Sequence, residues 1–296
     1  MMNTLKVFVL MAVLTAAIAA LGRMIGGPGG MLMAFGFAIL LNFGSFWFSD
    51  KIVLKMSGAQ PVDARTAPDL VRMTEALVQR ANLPMPRLYI IDDPQPNAFA
   101  TGRSPQNAAV AVNTGLLSLL SKSEIEGVIA HELAHVKHRD TLTMTIVATL
   151  AGAFMMLVDI ARWGAIFGGG HSDDDEGMSL PALIAMSIVG PIAAMMIQSA
   201  VSRAREFEAD KMAAHLTGSP DGLIGALSKL ERGAQAIPNH AMSPQTAHLC
   251  IVNPFAGMGG TLLSLFSTHP PMEKRIAALA ALRGQIQPVG AGNPWS

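Results

Sequence analysis

Four apolar runs limit how this 296-residue chain can fold. Residues 5–21 carry Lys6 as their single charge, and residues 31–48 carry none. Residues 141–158 and 180–197 repeat the pattern, interrupted mainly by hydroxyls and, in the last run, by Pro181 and Pro191. Each run approaches the ~20 residues that cross a ~30 Å hydrocarbon core. Hydrophobic residues make up 51% of the chain and charged residues 14%, with a mean hydropathy of +0.39. That is too apolar for an ordinary soluble enzyme and points to an integral membrane protein. A second run follows the first at once, which predicts an uncleaved hairpin turning at Arg23 and the Gly26–Gly30 stretch rather than a signal peptide. The alternative for these runs is a set of helices buried in a protein core.

The charges orient the hairpins. Lys51 and Lys55 follow the second run, Arg23 alone lies between the first two, and residues 164–177 contain no Lys or Arg. By the positive-inside rule the polar part of the chain then faces the cytoplasm. A single cysteine, Cys250, excludes an intrachain disulfide and a Cys-based metal site, and it suits a reducing compartment. Net charge is zero and no basic patch has interleaved aromatics, so nothing suggests nucleic acid as a partner.

Between the hairpins, residues 61–140 read as a soluble α+β segment. Thr66 and Pro68 can open a helix striped by Leu70, Val71, Leu77 and Val78. Leu88–Ile91 reads as a buried strand and Asp92–Pro96 as a turn. Asn97–Gly102 and Ala109–Val112 read as a hairpin around Arg103–Asn107. A strand just before the next helix can pair with an extended peptide, or it is an ordinary edge strand. Ser123–Glu126 has the S-x-x-E form of a capping box and predicts a helix over 123–139, with Ile125, Val128, Ile129 and Val136 at helical spacing.

That helix carries His131-Glu132-Leu133-Ala134-His135. Residues four apart share a helix face, so both imidazoles can reach one metal ion. Zinc suits them, taking imidazole nitrogen at about 2.0–2.1 Å in a tetrahedron. Glu132 lies beside the first ligand, placed to take a proton from the attacking water. The plain alternative is an exposed helix turn with two ordinary histidines. Such a site needs a third protein ligand. Glu206 and Asp210, four apart after the last apolar run, supply one: Glu206 binds metal, and Asp210 accepts the other ring N–H of a ligand His, foremost His131. Glu208 lies about 200° round the helix from Glu206 and is excluded. His138 is the rival, but along a straight helix it sits about 10.5 Å from His131, and no glycine intervenes to turn the chain.

These pieces together resemble the HtpX-type membrane metalloproteases, relatives of the CAAX prenyl protease and of thermolysin-like gluzincins. The matching segments are the N-terminal hairpin, Pro96–Gly102, His131–His135, the second apolar pair, Arg205–Asp210 and Thr268–Pro271. The resemblance implies that His131, His135 and Glu206 bind one zinc ion, that Glu132 is the base, and that Asn97, Ala98 and Phe99 line the substrate cleft. It implies a place in the bacterial inner membrane and a role in stress response, with misfolded or damaged membrane proteins as substrates. At position 138 this chain carries a His where such proteins often carry another residue.

The expected architecture is an α+β, zincin-like catalytic domain in two parts. A transmembrane hairpin spans 1–55, the first catalytic part 56–140, a second hydrophobic hairpin 141–201, and the second part 202–296, with a mobile loop at 234–262 and a terminal helix. The expected function is a zinc-dependent endopeptidase whose partners are protein substrates and the lipid bilayer. Peptide hydrolysis builds an oxyanion that a polar donor would stabilise. The sole tyrosine, Tyr89, falls in an expected buried strand, so His269 is the better donor, or else a helix-start histidine fixed by prolines. The rival functions are a prenyl-protein processing peptidase, for which four spans are few, and a silent scaffold, against which the full set of site residues argues.

Overall fold

The computed structural model describes residues 2–140, 205–236 and 270–286. The chain divides into two compact units, one of residues 1–48 and 143–198, the other of residues 49–142 and 199–296.

Helix α1 (Met2–Met56) provides the described part of the first unit. It is two arms broken at Gly26 and Gly27, where Gly27 takes φ 60° and ψ −151°. Only glycine adopts that conformation without steric cost. Pro28 then sits in the first turn of the second arm, where its fixed φ suits a helix start. The reversal occupies two residues rather than the whole Gly26–Gly30 stretch. A side chain at Gly22 would collide with Ala34, so the arms pass closely. The second arm leaves large apolar side chains outside: Leu32 is 67%, Leu40 70% and Phe43 62% exposed. Among the described residues no helix is long and apolar enough to cross a membrane.

The second unit is built on a four-stranded sheet of β1 (Gln60–Val62), β2 (Arg87–Ile91), β3 (Ala98–Thr101) and β4 (Ala109–Asn113), in the order β1-β2-β4-β3. β2 and β4 are parallel, and the other pairs antiparallel. β3 and β4 form the expected hairpin, Ala98 opposite Val112, around a 3₁₀ turn at Pro105–Asn107. Because β4 is paired on both sides, β3 is the edge on this side of the sheet among the described strands, and an added peptide strand would pair with it. Val110 and Val112 of β4 join the main core, while Ala109 and Ala111 meet Leu54 at the end of α1, with Ile91 and Phe99. Small alanines there let the helix approach the sheet.

The main core lies between the sheet and helices α2 (Pro68–Ala81), α4 (Lys122–His138), α5 (205–217), α6 (Asp221–Ala236) and α7 (Met272–Ala281). A short α3 (Thr114–Leu119) joins β4 to α4. Fully buried Ile129 and Leu133 anchor α4, each worth about 1.5–3 kcal/mol of transfer free energy. The capping box is not Ser123–Glu126. Ser121 is the N-cap, and the Glu124 carboxylate accepts its backbone N–H at 2.7 Å. Partners from distant chain decide the frame: Lys229 in α6 holds Glu124 at 2.7 Å, whereas Glu126 pairs with Arg80 of α2. At Gly127 the backbones of α4 and Leu223 approach so closely that a Cβ would clash. The second hydrophobic hairpin (141–201), nearly all of the 234–262 loop, and His269 lie outside the described residues.

Candidate metal centre

α4 presents His131 and His135 one turn apart, and α5 brings Glu206 against both. The metal-ligating atoms of the three all lie within 4.8 Å of one another. His131 Nε2 and His135 Nε2 are 3.1 Å apart, and they lie 3.6 and 3.4 Å from the Glu206 oxygens. His138, half-buried on the last turn of α4, is not part of this group. Burial pushes its imidazole pKa down. The helix does turn without a glycine, but one residue too late for His138: Arg139 takes the left-handed conformation, φ 58°.

That turn brings Asp140 back to α4. Its carboxylate accepts from His135 Nδ1–H at 3.2 Å. The carboxylate of Asp210 likewise accepts from His131 Nδ1–H at 2.9 Å. An ionised carboxylate only accepts, so both imidazoles carry their proton on Nδ1 and turn Nε2 lone pairs toward each other. Two lone pairs and a carboxylate converging at this distance repel unless a cation sits among them. Two ligands of a tetrahedral zinc ion would themselves lie about 3.3 Å apart.

The charge balance agrees. Glu132, Asp140, Glu206 and Asp210 are buried carboxylates. Facing them are two guanidiniums: Arg275, whose Nη1 is 3.0 Å from Glu206, and Arg205, 3.1 Å from Asp140. Among the described residues, and with neutral histidines, two negative charges remain, which a divalent cation would balance. Burial works against a proton on His135, yet Asp140 and Glu206 outweigh it and raise its pKa well above the usual imidazole range, another sign that the cluster favours positive charge. The donor set therefore fits a dication, and two imidazoles with one carboxylate fit zinc.

Glu132 points elsewhere. Its Oε2 accepts the backbone N–H of Ala100, in β3, at 2.8 Å. Burial pushes its carboxyl pKa up, with the two histidines pulling the other way. β3 thus touches the candidate base through its backbone. Phe99 packs its ring on the Leu54 side of the sheet, Ala98 faces the main core, and Asn97 is buried.

Three residues here had no role on sequence grounds. Asp140 follows a helix end and depends on the Arg139 turn. Arg205 opens the Glu206 motif. Arg275 lies in the stripe of α7 with Ile276 and Leu279, and it is fully buried. The available signal was a charge at a core position of an amphipathic helix, which demands a buried counter-charge. Arg275 grips Asp210 with Nε at 2.8 Å and Nη2 at 2.6 Å.

The assignment of the third ligand has a direct test. Glu206→Ala should lose stoichiometric zinc by metal analysis, and His138→Ala should keep it. The reverse pattern would transfer the ligand role to His138.

Residues 64–283 match the family described as Peptidase family M48. The chain is 55% identical over 278 residues to a protein named "Protease HtpX homolog" from Desulforapulum autotrophicum, covering 94% of this chain and 89% of that one. Homologues of the same name from Syntrophobacter fumaroxidans and Ralstonia nicotianae are each 51% identical, over 93% and 94% of this chain and 97% and 96% of theirs. Among solved structures, that titled "Crystal Structure of S. mikatae Ste24p" shares the fold with a TM-score of 0.51 at 23% identity, over 83% of this chain and 56% of that one. The resemblance read from the motifs is borne out: the chain belongs to peptidase family M48 and is a metalloprotease.

Proposed function

We propose that the chain is a membrane-anchored, zinc-dependent endopeptidase that cleaves unfolded stretches of protein, among them misfolded or damaged membrane proteins. The observation that carries this reading is the juxtaposition of His131, His135 and Glu206 with Glu132, itself held against the strand β3.

A zinc ion held by His131, His135 and Glu206 would supply the Lewis acid that activates water and polarises the scissile carbonyl. The chain's own residues do the rest. Asp210 and Asp140 fix the tautomers of the two imidazoles. Glu132 takes the proton of the attacking water and returns it to the leaving amine. On β3, Asn97 C=O accepts from Asn113 N–H, toward β4, while Ala100 N–H points to Glu132. The alternation of the antiparallel ladder therefore turns Ala98 N–H and C=O away from β4. A substrate strand added there is recognised by its main chain, which suits extended, unfolded segments of any sequence.

The membrane part rests on the apolar outer side of the second arm of α1, on the overall composition, and on the lysines that follow it. The hairpin and the 141–201 segment would then sit in the bacterial inner membrane, with the catalytic unit in the cytoplasm.

Purified full chain in detergent should cleave unfolded casein, stop when a chelator removes the metal, and resume when zinc is restored. Cleavage that persists through chelation would refute a metal-dependent reading.

A further inference from the structure

The metal site is split in sequence: His131 and His135 precede the segment 141–204, and Glu206 follows it. The residues flanking that segment face each other. Asp140 is buried and stands at its start, Arg205 at its end, and Arg205 Nη1 is 3.1 Å from Asp140 Oδ1. The other oxygen, Oδ2, accepts from His135 Nδ1–H at 3.2 Å. One carboxylate thus uses one oxygen to orient a metal ligand and the other to hold the returning chain.

We propose that Asp140 and Arg205 form a clasp at the neck of the inserted segment that positions His135 and so sets the affinity of the site for zinc. Asp140 acts on His135 directly, by fixing its tautomer and ring orientation. Arg205 acts only through Asp140: it keeps that carboxylate aimed at His135. The pair differs from the Asp210–Arg275 pair behind His131. Asp210 is gripped by two nitrogens of a guanidinium with no exposure, whereas the Arg205 side chain is 14% exposed and meets Asp140 as an ion contact without a hydrogen bond. The His135 side is therefore the softer half of the centre.

The inference rests on the zinc reading above, and the test separates the two. Zinc affinity is measured on the full chain in detergent by chelator competition, together with the visible spectrum of the cobalt-substituted protein. Changing the partner of a ligand histidine costs about 10–100-fold in metal affinity, and Asp140→Asn should fall in that range with an altered cobalt spectrum. Arg205→Gln should weaken zinc several-fold, and Arg205→Lys should recover most of the loss. The Asp140→Asn/Arg205→Gln double variant should be no weaker than Asp140→Asn alone, since the arginine works only through the carboxylate. Arg283→Ala, which breaks an exposed ion pair with Asp221, serves as the control and should leave affinity unchanged. Wild-type protein that binds no stoichiometric zinc would overturn the zinc reading and the clasp with it. Stoichiometric zinc held equally well by Arg205→Gln, additive losses in the double variant, or an equal loss in Arg283→Ala would overturn the clasp alone.

Discussion

Replacing Glu132 with Gln is expected to lower kcat by about 10²–10⁴-fold, with KM and zinc content close to wild type. The amide has the size of the carboxylate, and its oxygen can still accept the Ala100 N–H that Glu132 now receives at 2.8 Å. β3 therefore stays in place, and the loss is confined to proton transfer. The position cannot be spared by relocating the base. Among the buried carboxylates, Glu206 faces the two imidazole Nε2 atoms, Asp210 is gripped by Arg275, and Asp140 is shared between His135 and Arg205. Burial, which raises the pKa of Glu132, also makes its carboxylate a stronger base than one in water. The assay is cleavage of unfolded casein by matched, zinc-loaded preparations. Equal turnover by both proteins would sink the mechanism.

The contrast between Glu132 and Asp140 shows where sequence reasoning reaches. His131, Glu132 and His135 were legible because their geometry is local: four residues along one helix fix one face. Glu206 and Asp210 were legible for the same reason, as a second pair four apart that must complete the first. Asp140 was not, because its approach to His135 depends on Arg139 adopting a left-handed conformation, which costs a non-glycine residue energy and has no local signature. The capping box failed in a related way. Ser121–Glu124 and Ser123–Glu126 fit the pattern equally well, and the choice falls to Lys229 and Arg80, far away in sequence. The β3–β4 hairpin was readable from two short apolar runs and a turn. The parallel pairing of β2 with β4 was not, since it joins segments through a crossover whose register no local pattern encodes. The side chain of Phe99 clusters with Leu54 at the end of α1, a placement with no local signature in the Asn97–Phe99 segment.

Arg275→Met should be among the most destabilising substitutions in the catalytic unit. Arg275 has no exposure and faces both Asp210, the partner of His131, and Glu206, the carboxylate of the candidate ligand set. Burial works against its charge, but the two carboxylates outweigh this and push its pKa further up. Burial likewise favours a neutral Asp210, and Arg275 is the main reason its carboxyl pKa lies below the ordinary range. Methionine would fill much of the volume and leave the buried Asp210 carboxylate without its cation. Breaking a buried ion pair from one side costs about 3–5 kcal/mol, which corresponds to a fall of roughly 10 °C in the melting temperature of a unit this size. Arg275→Lys should regain only part of the loss, because an ammonium cannot reproduce the two-nitrogen grip on Asp210. Thermal unfolding of the zinc-loaded full chain in detergent reads the effect. A methionine variant that melts with wild type would mean that the charge of Asp210 is balanced by other means, and that α7 contributes packing alone. A loss of stability with Asp210→Asn/Arg275→Met close to that of Arg275→Met alone would instead place the cost in the packing of α7. If the stranded carboxylate is the cause, the double variant should recover much of what the single one loses.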